Sequence, residues 1–150
     1  MKSNLSDEVK LGTLGEIYYQ ALFGGLLSED TFDEEKDLTQ SDGKTVEIKT
    51  QSRYRHSNAF TVNKRSANLK KCLYVDRLIF IEYSLSDTIN IWECVDRRSV
   101  FTASMEDVSG IRIMACWPVD KMLLLKKTNH PKLAEMMREF SKSKTLGWYE

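Results

Sequence analysis

The segment from residue 36 to residue 51 constrains the fold of this chain more than any other. Polar and apolar residues alternate on both sides of Ser41-Asp42-Gly43, a pattern that predicts a β-hairpin. The length of the loop decides the register, and therefore the face on which each side chain lies. A three-residue loop requires glycine at its third, left-handed position, where Gly43 stands. We therefore predict a loop of residues 41–43.

This register decides which side chains meet. A three-residue loop pairs Asp37 with Glu47, whereas a two-residue loop would pair Asp37 with Ile48 and send its carboxylate into the core. Residues two apart in a strand share a face, so Lys49 and Gln51 are expected on the same face as Glu47. The favoured register thus brings two carboxylates and an ammonium group together.

Such a group of residues suits metal-assisted chemistry. Two neighbouring carboxylates repel each other unless a cation lies between them, and Mg²⁺ prefers one or two carboxylates together with water and substrate phosphate. The metal would activate a water molecule and stabilise charge on a phosphodiester. Lys49 would hold that water or neutralise the developing charge, and Gln51 could polarise the water or contact a base. The pattern predicts hydrolysis of phosphodiester bonds.

Glu-x-Lys alone is weak evidence, because it occurs three times in the chain. Glu8-Val9-Lys10 begins the first predicted helix, where side chains two apart diverge, and Glu34-Glu35-Lys36 lacks apolar alternation. Glu47-Ile48-Lys49 combines a strand, a glycine turn and an upstream Asp. The alternative interpretation of this third copy is a cross-strand ion pair on an exposed hairpin.

Charge is unevenly distributed along the chain, although 22 basic residues balance 22 acidic ones. Residues 28–47 carry a net charge of −6 and residues 49–77 carry +7. This polarity fits an acidic metal site flanked by phosphate-contacting residues, while solvated faces that cancel are the alternative. The candidates for DNA contact are Arg53, Tyr54, Arg55, His56 and Asn58 after the motif, and Lys64, Arg65, Lys70 and Lys71 on a predicted basic helix.

The other periodic segments predict a single domain of 150 residues with a mixed sheet, in the α/β or α+β class. Helices are predicted over residues 6–24, 62–73 and 131–142, the last capped by Asn129, and strands over 78–83, 89–95, 111–117 and 121–125. Three cysteines without a CxxC pair predict buried or half-buried thiols of a reducing cytoplasm, not disulfides or a zinc site. No apolar run is long enough to span a bilayer.

This chain resembles the PD-(D/E)XK nuclease superfamily. The features that carry the resemblance are, in chain order, an acidic residue on an opening helix, an Asp, a short hairpin and Glu-x-Lys. The resemblance covers about residues 11–51. It implies a restriction-endonuclease-like core, a central mixed β-sheet flanked by helices, and Mg²⁺-dependent cleavage of DNA, with Mn²⁺ as a substitute. Asp37 and Glu47 would bind the metal with the carbonyl of Ile48, and Lys49 would be catalytic.

Family members often add a glutamate from the first helix, and Glu16 takes that position here as a further catalytic and metal-binding candidate. Gly12 and Gly15 would let the helix lie close to the hairpin.

One feature departs from the family pattern, since Lys36 rather than proline precedes Asp37. Asp33 and Asp42 therefore compete for the role of Asp37, although Asp42 suits the turn better.

We expect a site-specific endonuclease of the homing or restriction type that cuts double-stranded DNA. Cutting both strands takes two active sites, so a homo-oligomer, either a dimer or a tetramer, is expected. A Holliday-junction or other structure-specific resolvase is the nearest alternative. A catalytically inactive DNA-binding module of the same fold is the alternative outside the enzymes.

Overall fold

The computed structural model describes residues 6–28, 37–53, 58–64, 67–107 and 110–141. The helices over these residues are α1 (Asp7–Phe23), α2 (Ala67–Tyr74) and α3 (Pro131–Ser141). The strands are β1 (Leu26–Leu27), β2 (Leu38–Thr39), β3 (Thr45–Gln51), β4 (Ala59–Asn63), β5 (Arg77–Tyr83), β6 (Thr88–Cys94), β7 (Phe101–Asp107), β8 (Gly110–Pro118) and β9 (Leu123–Asn129). Short 3₁₀ turns span Arg97–Ser99 and Val119–Lys121.

The strands form two sheets. The larger has the order β1-β2-β3-β5-β6-β9, and β3 and β5 run parallel while the other neighbours run antiparallel. A parallel pair needs a crossover connection, and β4 and α2 provide it. The smaller sheet has the order β4-β8-β7. The predicted class, a central mixed sheet flanked by helices, is confirmed.

The hairpin between β2 and β3 has the predicted register. Leu38 lies opposite Val46, as a three-residue loop requires. Gly43 completes the loop with a φ of +85°, which glycine adopts without steric strain. Asp42 Oδ1 accepts a hydrogen bond from the backbone N–H of Lys44 at 3.0 Å. Asp42 is therefore the turn residue and is not a competitor for the site.

Apolar side chains cover both faces of the larger sheet. Alternate residues of β3 point to opposite faces, and Val46 and Ile48 belong to the core that β5 and β6 form with α1 and α3. The second core joins β5 and β6 to α2, β4 and β8, and includes Phe80 and Trp117. Glu47, which lies between Val46 and Ile48, consequently faces the side of the sheet on which α2 lies.

Gly15 allows α1 to lie against β3. A Cβ atom at Gly15 would lie 1.7 Å from Thr50 Oγ1 and 2.9 Å from Thr50 Cβ, so a larger residue could not fit without movement. A Cβ atom at Gly12 would lie 3.8 Å from its nearest neighbour, which is an ordinary contact. Close approach to the hairpin therefore depends on Gly15, and Gly12 is not needed for it.

The basic helix begins later than the predicted residue 62. Residues 59–63 form β4, in which Phe60 pairs with Trp117 of β8, and α2 starts at Ala67. β7, which the sequence patterns did not predict, completes this small sheet. Pairing with distant strands has overridden the local helical pattern, as tertiary contacts commonly do.

The C-terminal elements differ from the prediction in detail. The last strand runs from Leu123 to Asn129, beyond the predicted residues 121–125. His130 Nδ1 accepts a hydrogen bond from the backbone N–H of Leu133 at 3.2 Å. His130, rather than Asn129, therefore caps α3.

All three cysteines, Cys72, Cys94 and Cys116, are free and buried, as expected. None of the described helices is long and apolar enough to cross a membrane.

Candidate active site

Asp37 and Glu47 face each other at the open end of the hairpin. Asp37 Oδ2 accepts a hydrogen bond from the backbone N–H of Ile48 at 2.9 Å, which turns its carboxylate toward β3. Glu47 is fully buried, and neither of its carboxylate oxygens receives a well-formed hydrogen bond from the described residues. A buried carboxylate is costly unless a cation pairs with it or it binds a proton. The site therefore favours a cation or a proton at Glu47.

Lys49 supplies the positive charge nearest to Glu47. Its Nζ lies 2.8 Å from Glu47 Oε2, and its side chain keeps 19% of its surface exposed. Burial lowers the pKa of Lys49, but Glu47, Cys72 and Asp37 together raise it above the usual value, so the ammonium is charged at neutral pH. Because Glu47 is buried, this pair is not the exposed hairpin ion pair of the alternative interpretation.

Glu16 and Glu47 both bind a proton more tightly than ordinary glutamates. Burial raises the pKa of Glu16 to about 7, with help from the charge of Asp37 and against the charges of Lys71 and Lys49. Burial also raises the pKa of Glu47 to about 7, where Lys49 opposes the effect and Asp37 adds to it. The predicted residues of α1 and of the hairpin thus lie within reach of one another's charges.

Lys71 joins this cluster from α2. Its Nζ lies 3.8 Å from Asp37 Oδ1, and its side chain is only 9% exposed. The adjacent Lys70 is exposed. This position differs from the exposed one that we predicted for a lysine in contact with DNA. The sequence could not separate the two lysines, because the packing of α2 on the sheet decides which of them points inward.

Gln51 and Arg53 bind other parts of the protein. The Gln51 amide donates to the carbonyl oxygen of Thr61 at 2.9 Å and accepts from its N–H at 2.8 Å, which joins β3 to β4. The Arg53 guanidinium binds both carboxylate oxygens of Glu82, with Nη2 2.8 Å from Oε1, and donates to Asn58 Oδ1 at 2.8 Å. These bonds hold the end of β3 against the beginning of β4. The Gln51 amide and the Arg53 guanidinium are therefore engaged within the protein, although the sequence predicts that they face water or DNA.

Glu82, which belongs to no sequence motif described above, lies at the centre of a second polar cluster that includes Arg53. Its Oε1 also accepts hydrogen bonds from Asn90 Nδ2 at 3.0 Å and Trp92 Nε1 at 2.9 Å. Burial would raise the pKa of Glu82, but the bonds from Arg53, Asn90 and Trp92 outweigh it and lower the pKa. A lone glutamate in the apolar run 78–83 was the available signal. Unlike Glu47, Glu82 has hydrogen bonds to both oxygens, and we assign it a structural role.

The remaining predicted residues divide into two groups. Asn58, Lys64 and Lys70 are exposed, as contact with DNA requires, although Lys64 Nζ also lies 3.5 Å from Thr102 Oγ1. Tyr54, Arg55, His56 and Arg65, together with the competing Asp33, lie outside the described residues.

The donor set at the hairpin is suitable for a hard divalent cation. Asp37 and Glu47 offer carboxylate oxygens, and neither oxygen of Glu47 accepts a well-formed hydrogen bond from the residues that the structure describes. Within the described ranges, no three His, Cys, Asp or Glu side chains already stand in the arrangement of a metal site. Lys49 and Lys71 instead contact the carboxylates. A cation would therefore enter by displacing these ammonium groups from the oxygens.

No protein-family model matches this chain, and a search of curated proteins found no significant match.

Proposed function

We propose that this protein is a Mg²⁺-dependent endonuclease of the PD-(D/E)XK type that hydrolyses phosphodiester bonds in double-stranded DNA. The observation that carries the proposal is the buried Glu47 carboxylate, which faces the Asp37 carboxylate and has the Lys49 ammonium 2.8 Å from its Oε2. Glu82, by contrast, accepts hydrogen bonds from Arg53, Asn90 and Trp92, and its pKa is lowered rather than raised. Two facing carboxylates are better explained as ligands for a divalent cation.

Asp37, Glu47 and the carbonyl oxygen of Ile48 would hold the Mg²⁺, and Glu16 would add a further carboxylate. Such oxygen donors are the ligands that Mg²⁺ and Mn²⁺ prefer. When bound, the metal would activate water and neutralise charge on the phosphate. The hydrogen bond from the Ile48 N–H to Asp37 orients one ligand before the metal arrives.

Lys49 would act on the reacting atoms. Its pKa is raised, so it stays protonated at neutral pH and cannot serve as the base. Its partial exposure leaves room for a phosphate group to approach the ammonium. In that position Lys49 would hold the attacking water and stabilise the negative charge that develops on the phosphate.

Basic residues beside the site would supply the attraction for DNA. The segment of residues 49–77 has a net charge of +7, and Lys64 and Lys70 are exposed within it. Such residues contact phosphates without reading sequence, and their contribution weakens as salt rises. Because both strands must be cut, the active form would be a homo-oligomer, a dimer or a tetramer.

The test compares Lys49→Ala with Lys44→Ala, which removes an exposed lysine from the turn of the same hairpin. Plasmid DNA is incubated with each protein in MgCl₂ or in EDTA. We expect the parent and Lys44→Ala to cut only with Mg²⁺, and Lys49→Ala to cut about a hundredfold more slowly. Equal rates for the two variants would refute the assignment of Lys49.

The same assay separates the alternatives. Discrete fragments from genomic DNA would support a homing or restriction type of site-specific enzyme, and preferential cutting of four-way junctions would support a resolvase. Binding of DNA in a gel-shift assay without metal-dependent cutting of any substrate would leave the catalytically inactive module as the function. Sedimentation velocity would measure the number of subunits.

A further inference from the structure

Lys71 is buried inside the carboxylate cluster, while its neighbour Lys70 on the same helix is exposed. Lys71 Nζ lies 3.8 Å from Asp37 Oδ1, and its charge opposes the rise in the pKa of Glu16. A buried lysine is poorly placed to follow the backbone of a DNA duplex. Its charge acts instead on the proposed metal ligands.

The position of Lys71 is fixed by the way α2 ends. Arg97 Nη1 donates to the carbonyl oxygens of Cys72 at 2.7 Å and Val75 at 3.0 Å, and Nη2 donates to that of Asp76 at 3.2 Å. The bond to Cys72 satisfies a carbonyl group in the last turn of α2, where helical partners are missing, and the other two bonds hold the residues that directly follow the helix. Because Cys72 follows Lys71 directly, the anchored helix end determines where the Lys71 side chain enters the cluster.

We propose that Lys71 is a positioning residue, an internal counter-ion that acts through the Asp37 carboxylate and lowers the Mg²⁺ affinity of the free protein. This inference rests on the proposed function and deepens it. With every group counted as ionised, the cluster of Glu16, Asp37, Glu47, Lys49 and Lys71 has a formal charge of −1, and without Lys71 the charge is −2. A divalent cation must displace the Lys71 ammonium from Asp37, so removal of Lys71 strengthens Mg²⁺ binding.

The scissile phosphate supplies the missing negative charge when DNA binds. Metal binding then depends on substrate, because the protein alone attracts Mg²⁺ only weakly. Lys71 thereby couples the arrival of DNA to the loading of the metal.

The experiment measures MgCl₂ binding to the free protein by isothermal titration calorimetry at pH 8. Lys71→Met keeps an unbranched side chain one atom shorter but removes the charge, Lys71→Arg keeps the charge, and Lys70→Met is the matched control on the exposed face. A charge at this distance changes a charge-dependent equilibrium by about tenfold or more. We expect Lys71→Met to bind Mg²⁺ at least about tenfold more tightly than the parent. Lys71→Arg and Lys70→Met should bind it as the parent does.

Two results would overturn the inference. One is Mg²⁺ binding to Lys71→Met that is no tighter than that of the parent, with the fold of the variant verified by circular dichroism. The other concerns DNA binding measured in EDTA. If Lys71→Met binds DNA more weakly than the parent, and its binding depends less on salt, as expected for Lys70→Met, then Lys71 contacts a phosphate of the DNA. Tighter Mg²⁺ binding to Lys71→Met in a protein that never cuts DNA would support the counter-ion while refuting the nuclease.

Discussion

Glu47→Gln should alter the pH dependence of stability in the metal-free protein. Burial raises the pKa of Glu47 from 4.5 to about 7. Between these values the folded state holds a proton that the unfolded state has lost, so the stability of the parent falls as the pH rises through this window. Glutamine does not titrate, and the variant lacks this loss. Glu16 titrates in both proteins, so its contribution cancels in the comparison.

The size of the effect follows from the shift in pKa. Each unit corresponds to about 1.4 kcal/mol, so ionising the buried Glu47 costs the folded state about 3 kcal/mol once the pH exceeds 7. Between pH 5 and pH 8 the difference in the free energy of unfolding, Glu47→Gln minus parent, should grow by about 2.5 kcal/mol. Lys49 does not contribute, because its pKa is raised above its usual value and it stays charged throughout.

Urea denaturation in EDTA at pH 5 and pH 8 measures this difference. If the difference in the free energy of unfolding stays constant within about 0.5 kcal/mol, the usual scatter of such comparisons, the Glu47 carboxylate is not buried as described. Glu47 would then no longer be a candidate metal ligand. Addition of MgCl₂ at pH 8 is the control for the metal. It should stabilise the parent and leave Glu47→Gln nearly unchanged, because a ligand that binds only the folded state adds to stability.

Three further substitutions test the structure around the site. Gly15→Ala should lower the free energy of unfolding by about 2 kcal/mol, because its methyl group would collide with Thr50, whereas Gly12→Ala is the control without a collision. Glu82→Gln should cost about 3 kcal/mol at pH 7 by breaking a buried ion pair. The pKa of Glu82 is lowered, so the loss of stability should shrink as the pH falls below the pKa of an ordinary glutamate. Urea denaturation at pH 7 and at a pH below that pKa measures the change. Arg97→Ala should lower the stability by about 3 kcal/mol, because several carbonyl groups lose a charged donor, as thermal unfolding would show.

The hairpin illustrates what local sequence can predict. Its register depends on a turn of three residues and on alternation over short strands, and both act within 16 residues of the chain. The capping of α1 is equally local, since Ser6 accepts a hydrogen bond from the N–H of Val9 at 3.3 Å. The pairing of Asp37 with Glu47 and the shared face of Glu47 and Lys49 therefore follow from short-range rules applied to the amino-acid sequence.

The partners of the polar residues around the hairpin could not be deduced in this way. Arg53 binds Glu82, which lies 29 residues further along the chain. Gln51 forms hydrogen bonds with the backbone of Thr61 only because residues 59–63 form a strand. In the sequence these side chains look like a solvated basic loop. They become structural contacts once the second sheet closes over that face.

Turn chemistry and strand periodicity are short-range effects, so the amino-acid pattern alone is enough to predict a mixed α/β fold and the placement of two carboxylates and a lysine on one hairpin. The charge balance of that site depends instead on how distant elements pack. The fold buries Glu47 beside Lys49, and the packing of α2 directs Lys71 rather than Lys70 toward Asp37. Burial and long-range Coulomb interactions depend on elements that are distant in the chain, and these set the pKa values and the proposed affinity for metal.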